Sequence, residues 1–239
     1  MDAISLPLKT LIDPVGAIPR AVNTQRWLVP LLLVAVVTAA AGAVVALRLD
    51  SSRVVISQMQ QSGQIGSASE REIDEAIEQA GRVALVGGVA KGLLLMPLLT
   101  LLLATLLKIA AWLTGQKTLF MELFTVAALT MLPVGLMHVI ELLSAARLEV
   151  ITPAMLESLA PTSLAALVES ASPGLSRVYR ALDLINIWGA LVMGLGFAAS
   201  AKLPAWKGAL FGLFLYVLFA SAFMVGLPGL VPSPGAGGH

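Results

Sequence analysis

No cysteine occurs among the 239 residues, which excludes a disulfide framework, thiolate catalysis and any cysteine-ligated metal. Charge is scarce too: 12% of the residues are charged, against roughly 25% in an ordinary soluble domain. The few charges nearly cancel, leaving a formal +1. No concentrated basic face of the kind a phosphate backbone demands is visible, so no nucleic-acid partner is expected. Histidine is confined to His138 and the C-terminal His239, and no Asp or Glu follows Asp183. A Ser/His/Asp set, paired intramembrane carboxylates and a phosphate loop are all missing. The reading is therefore of a protein that is not an enzyme, with no cofactor and no metal. A proton-coupled path, which usually needs an ionisable group inside a span, is disfavoured as well, whereas a path for lipid or hydrophobic solute would need none.

What the chain does have is apolar residues, 58% of the total, gathered into runs bracketed by charge. A helix needs about 20 residues to cross a hydrocarbon core of about 30 Å. One run lies between Arg26 and Arg48, another between Glu122 and Glu141, a third between Asp183 and Lys202, and a last one follows Lys207. A further run between Lys91 and Lys108 is short, at roughly 24 Å of helix. Both lysines can lay their stems along the helix and lift their ammonium groups to opposite interfaces, so it too is read as a span. The first run is too long and too far from the start to be the apolar core of a cleaved signal, which runs to roughly 7–15 residues.

The fold expected is all-α: a polytopic membrane protein built as a five-transmembrane-helix bundle. Its spans are placed at about 27–47, 90–112, 121–143, 183–201 and 206–230, after a cytoplasmic segment at 1–26 and before a disordered tail at 232–239. The short connections hold Lys108, Lys117, Lys202 and Lys207, while the longer loops mix arginine with acids. Lysine and arginine in short loops mark the cytoplasmic side, which puts the N-terminus in the cytoplasm and the C-terminus outside. In the first external loop Ser69 and Glu72 have capping-box spacing ahead of an apolar stripe at Ile73, Ile77 and Ala80, predicting an amphipathic helix that feeds the second span. In the second, breakers at Thr152-Pro153, Pro161-Thr162 and Pro173-Gly174 delimit two short helices, AMLESLA and SLAALVES.

Residues 194–199, GLGFAA, match a dinucleotide-binding fingerprint. That fingerprint requires a strand before it and an acid about 20 residues later, and neither is present. Small residues four apart instead let helix backbones approach closely. Ala190, Gly194, Gly196, Ala198 and Ser200 are accordingly expected to form a helix-packing or oligomer face, and Gly87, Gly88 and Gly92 raise the same expectation near the second span. His138 and Glu141, three residues apart, share a helix face and are the one candidate polar site for a metal or a proton. Two groups are fewer than a zinc site takes. Pro97 and Pro133 fall within spans and are candidate kinks.

The layout resembles the Yip-one family, in its bacterial branch. Leu11, Pro14, Ile18, Trp27 and Pro30 fit the approach to the first span. Phe120, Phe124 and Pro133 fit the third span, and Asn186, Trp188, Gly196, Ser200, Lys207 and Ala209 fit the fourth. The resemblance runs over residues 8–228. It implies a five-helix integral membrane protein of the bacterial cytoplasmic membrane, with a cytosolic N-terminus and no catalytic activity. Eukaryotic members bind Rab-type GTPases through an Asp-Leu-x-Gly-Pro motif, of which only Ile12-Asp13-Pro14 is matched here, and the Gly-Tyr-Gly element of the third span is absent. Rab binding and vesicle trafficking therefore do not carry over. The function expected is that of a scaffold or accessory that organises or assists other membrane components. The alternative is a lipid or hydrophobic-solute transport component, alone or as an accessory of an ABC-type exporter. Expected partners are membrane lipids, a second copy in a homo-oligomer, and an ABC-type transporter or other membrane protein.

Overall fold

The computed structural model describes residues 2–66, 68–166, 168 and 173–222. Among these residues the regular structure is helical apart from two isolated bridges, Leu49 with Ile151 and Ser163 with Asp183. The helices are α1 (Asp2–Lys9), α2 (Pro14–Asn23), α3 (Leu28–Arg48), α4 (Ser51–Gln61), α5 (Glu70–Ala90) and α6 (Met96–Leu113). They continue with α7 (Phe120–Thr130), α8 (Leu132–Ala146), α9 (Pro173–Ala181), α10 (Leu184–Ser200) and α11 (Ala205–Phe219). Four helical stretches are long and apolar enough to cross a membrane: Leu28–Arg48, Glu70–Leu113, Phe120–Ala146 and Ala205–Ala222. A fifth apolar helix, Leu184–Ser200, is shorter. The end of the last expected span beyond residue 222 and the tail at 232–239 lie outside the described residues.

Local chemistry explains where the helices begin. In α2, Pro14 occupies the first turn, where its missing N–H costs nothing, and the Asp13 carboxylate accepts from the Gly16 amide at 3.0 Å. At α5 the expected capping box is formed: the Ser69 amide donates to Glu72 Oε2 at 2.7 Å and the Glu72 amide donates to Ser69 Oγ at 3.3 Å. This amphipathic helix does not stop at the membrane segment. It continues through a π-helical turn, Lys91–Leu95, into α6, giving one helix of 44 residues. Pro97 lies just after that turn. A proline can neither donate to the carbonyl four residues back nor pack closely against it, and widening the preceding turn accommodates both defects. Pro133 is the second residue of α8, which follows α7 after the single residue Met131.

In the second loop two 3₁₀ segments occur where short helices are expected, Pro153–Ser158 and Leu164–Ala166, while residues 167, 169 and 170 of the second expected helix lie outside the described residues. The Pro173-Gly174 step, expected to act as a breaker, instead opens α9. Proline is as good a first residue for a helix as it is a poor interior one.

The chain forms two compact units. One comprises Met1–Pro30, Leu102–Val134 and Pro161–His239. Here α10 packs on α11, α7 and α2, so the segment before the first span is folded rather than trailing. Ala17, Ile18, Ala21 and Val22 of α2 are buried. Trp27 meets Phe124 edge to face at 5.3 Å between ring centroids, and Phe124 stacks on Phe120. The other unit comprises Leu31–Leu101 and Gly135–Ala160. There the end of α3 is tied to the chain after α8, because the Ile151 amide donates to the Arg48 carbonyl at 2.7 Å and the Asp50 amide to the Ile151 carbonyl at 2.9 Å. The Arg48 guanidinium also donates to the Leu148 carbonyl. Ala145, Ile151 and Leu159 form the small apolar cluster beneath this junction.

Candidate functional site

Successive helical residues are about 100° apart, so Gly194 and Gly196 point about 200° apart and cannot lie on one stripe. The expected small-residue face accordingly divides in two. Ala190, Gly194 and Ala198 face α11. A Cβ on Gly194 would fall 2.8 Å from the Gly208 carbonyl carbon and 2.9 Å from the Gly212 amide nitrogen. The reciprocal positions are as tight: a Cβ on Gly208 would lie 2.5 Å from Ala198 Cβ, and one on Gly212 3.0 Å from Gly194 Cα. Gly208 and Gly212 thus complete a seam in which backbone touches backbone. Sequence reasoning missed that half of it, although four-residue spacing was there to be read. Phe197 and Phe211 stack beside it with centroids 4.6 Å apart.

Gly196 and Ser200 belong to the other face. A Cβ on Gly196 would meet Val126 Cγ1 of α7 at 2.6 Å, and one on Gly189 would meet the Thr130 carbonyl at 3.4 Å. Ser200 is buried, and its hydroxyl is one of the buried polar atoms without a hydrogen-bond partner among the described residues. The start of α10 is pinned by Asp183, which is 7% exposed and accepts from the Asn186 amide at 3.0 Å and the Thr162 hydroxyl at 2.5 Å. Nearby, the Tyr216 hydroxyl of α11 donates to the Ala181 carbonyl.

The second unit repeats the glycine device. A Cβ on Gly88 would fall 2.5 Å from the Gly42 carbonyl oxygen of α3, and one on Gly92 would fall 2.6 Å from Ala39 Cα, whereas Gly87 faces open space. Gly42 is a second partner that sequence reasoning did not single out. His138 is 2% exposed, and its Nδ1 lies 2.6 Å from Glu141 Oε2. The pair can share a proton, or each can donate one lone pair to a metal ion. Among the described residues no group of three or more His, Cys, Asp or Glu side chains converges to hold a metal ion.

Two open grooves lie beside the apolar helices rather than within them. One, of about 670 Å³, separates α4 from α5. Val54, Val55 and Met59 line it from one side and Ala76, Ala80 and Val83 from the other. Asp50 caps α4 at its edge, accepting from the Arg53 amide at 3.2 Å. The Ser52 hydroxyl, assisted by the Arg53 amide and guanidinium, holds the Asp50 carboxyl below the usual carboxylate range. The other groove, of about 630 Å³, lies along α1 and α2; Lys9, Arg20 and Arg26 line it together with Asp13, Leu6 and Ala17.

Apolar helices of spanning length, closed on one another through glycine and alanine, define a multi-pass helical membrane protein. The family model of the Yip1 domain matches residues 8–227, and the chain belongs to that family. No curated protein and no solved structure gives a match.

Proposed function

We propose that this protein is a non-enzymatic organiser or accessory of other membrane components, residing in the bacterial cytoplasmic membrane with its N-terminus inside and its C-terminus outside. The observation that supports this best is the groove between α4 and α5. It stands on the N-terminal part of a helix that runs on, through the π-helical turn Lys91–Leu95, into an apolar span. A partner seated there would be coupled to the membrane helix through helical chain, with the π turn at Lys91–Leu95 rather than a loop between them. The lining mixes apolar side chains, from alanine to Met59, with Gln58 and Gln79, a surface suited to another protein's helix. A membrane transporter of the ABC type is the partner class in view.

Site-specific photo-crosslinking in cells tests the proposal. A crosslinker at Gln58 or Ala80 should capture one membrane protein repeatedly, and Met59→Glu in the same groove should abolish that capture. Recovery of lipid alone at both positions, together with movement of labelled phospholipid in vesicles containing only the purified protein, would replace this reading with the transport one.

A further inference from the structure

The N-terminal helix pair carries two features that neither the bundle nor the α4–α5 groove uses. The first is a basic groove. Asp13, Gly16, Arg20 and Asn23 follow one another at helical spacing from the cap of α2 along the helix, and Lys9 of α1 and Arg26 line the groove with them, beside Ser5, Leu6, Ala17 and Thr24. Lys9, Arg20 and Arg26 are exposed and enter no ion pair among the described residues. The one acid in the groove, Asp13, is occupied in capping α2. The second feature is apolar: Ile4, Leu8, Ile12 and Val15 stand exposed on the same pair, Ile12 at 89%.

Three cations beside four bare aliphatic side chains would be a liability in water, and they match a membrane surface, where the aliphatics enter the acyl boundary and the cations meet phosphate. The place in the chain agrees with this. Ile18, Ala21 and Val22 anchor α2 on the apolar helices α7 and α10, and the first apolar span begins at Leu28, two residues after Arg26. We propose that α1, α2 and Arg26 form a binding site for the headgroup of an anionic phospholipid, with Lys9, Arg20 and Arg26 holding the phosphate and Ile4, Leu8, Ile12 and Val15 seated in the lipid beneath it.

The test uses the full chain reconstituted in nanodiscs of phosphatidylcholine and phosphatidylglycerol, extracted into mild detergent, with the retained lipids weighed by native mass spectrometry. Wild type is expected to retain phosphatidylglycerol preferentially. Combining Lys9→Gln, Arg20→Gln and Arg26→Gln should reduce that preference by about tenfold or more without lowering the melting temperature. The single variants Lys9→Gln and Arg20→Gln should each give a partial loss, so the inference stays testable should the triple variant misfold. Lys202→Gln with Lys207→Gln, which leaves the groove intact, should keep the preference. Equal retention by wild type and the triple variant overturns the proposal. So does loss of the bound lipid to excess inorganic phosphate, which would make this a site for the free anion.

Discussion

The seam between α10 and α11 makes a quantitative claim about one methyl group. Gly194→Ala adds a Cβ 2.8 Å from the Gly208 carbonyl carbon and 2.9 Å from the Gly212 amide nitrogen. Both obstacles are backbone, so no rotamer change relieves them and the helices must move apart. Overpacking of this kind costs about 1–3 kcal/mol, and the upper part of that range applies where nothing flexible can yield. Replacing a helical glycine by alanine returns about 1 kcal/mol of helix propensity. The net loss is then about 2 kcal/mol, which for a chain of this size lowers the melting temperature by about 4–8 °C. Gly87→Ala is the matched control, because a Cβ there meets nothing within 4 Å and only the propensity gain remains. Gly196→Ala should fall between them, since its obstacle is the Val126 side chain at 2.6 Å. Thermal melting of the detergent-solubilised protein, followed by tryptophan fluorescence, reads all three; Trp188 and Trp206 lie on the two helices concerned. Should Gly194→Ala melt as high as Gly87→Ala, the backbone-to-backbone seam is wrong. Combining Gly194→Ala with Gly208→Ala should cost less than the sum of the two, because the first Cβ has already parted the helices.

Loss of the Ser69 cap in Ser69→Ala should destabilise the start of α5 by about 1 kcal/mol, seen as faster amide hydrogen exchange in its first turn, with Ser69→Asp restoring protection. The Asp50 carboxyl titrates below its unfolded value, so its contribution is complete above the unfolded pKa and is lost as pH falls through the folded one. Protection factors across α4, taken relative to the intrinsic exchange rate at each pH, should therefore fall on acidification, and Asp50→Asn should remove that pH dependence. The absence of cysteine makes topology directly measurable with a membrane-impermeant maleimide. Gln61→Cys should label in intact cells and Gln116→Cys only after permeabilisation, and the opposite pattern would invert the proposed orientation.

The apolar helices were legible because each run ends at a charge whose burial in hydrocarbon is costly, as with Arg26, Arg48, Glu122 and Asp183. The α5 cap was legible for a similar reason: Ser69 and Glu72 satisfy each other's amides within four residues and need no tertiary partner. Less was visible where short and long range compete. Pro173 can end one segment or begin the next, and spacing does not choose between those roles. Hydropathy marks residues 1–26 only as a segment outside the spans, although α2 carries its own cap and a buried face at Ala17, Ile18, Ala21 and Val22. That face became meaningful only when α7 and α10 were seen to cover it.

Composition and charge placement by themselves determined that this is a helical membrane protein, since hydrocarbon tolerates only segments that satisfy their own backbone hydrogen bonds. They also showed that the small residues of the fourth span matter. Which helix approaches each of them was decided by tertiary structure alone. Gly194 and Gly196 are two residues apart in sequence and nearly opposite around the helix, one against the backbone of α11 and the other against Val126 of α7. A glycine has no side chain to declare its partner, so only the folded neighbours reveal what its missing Cβ makes room for.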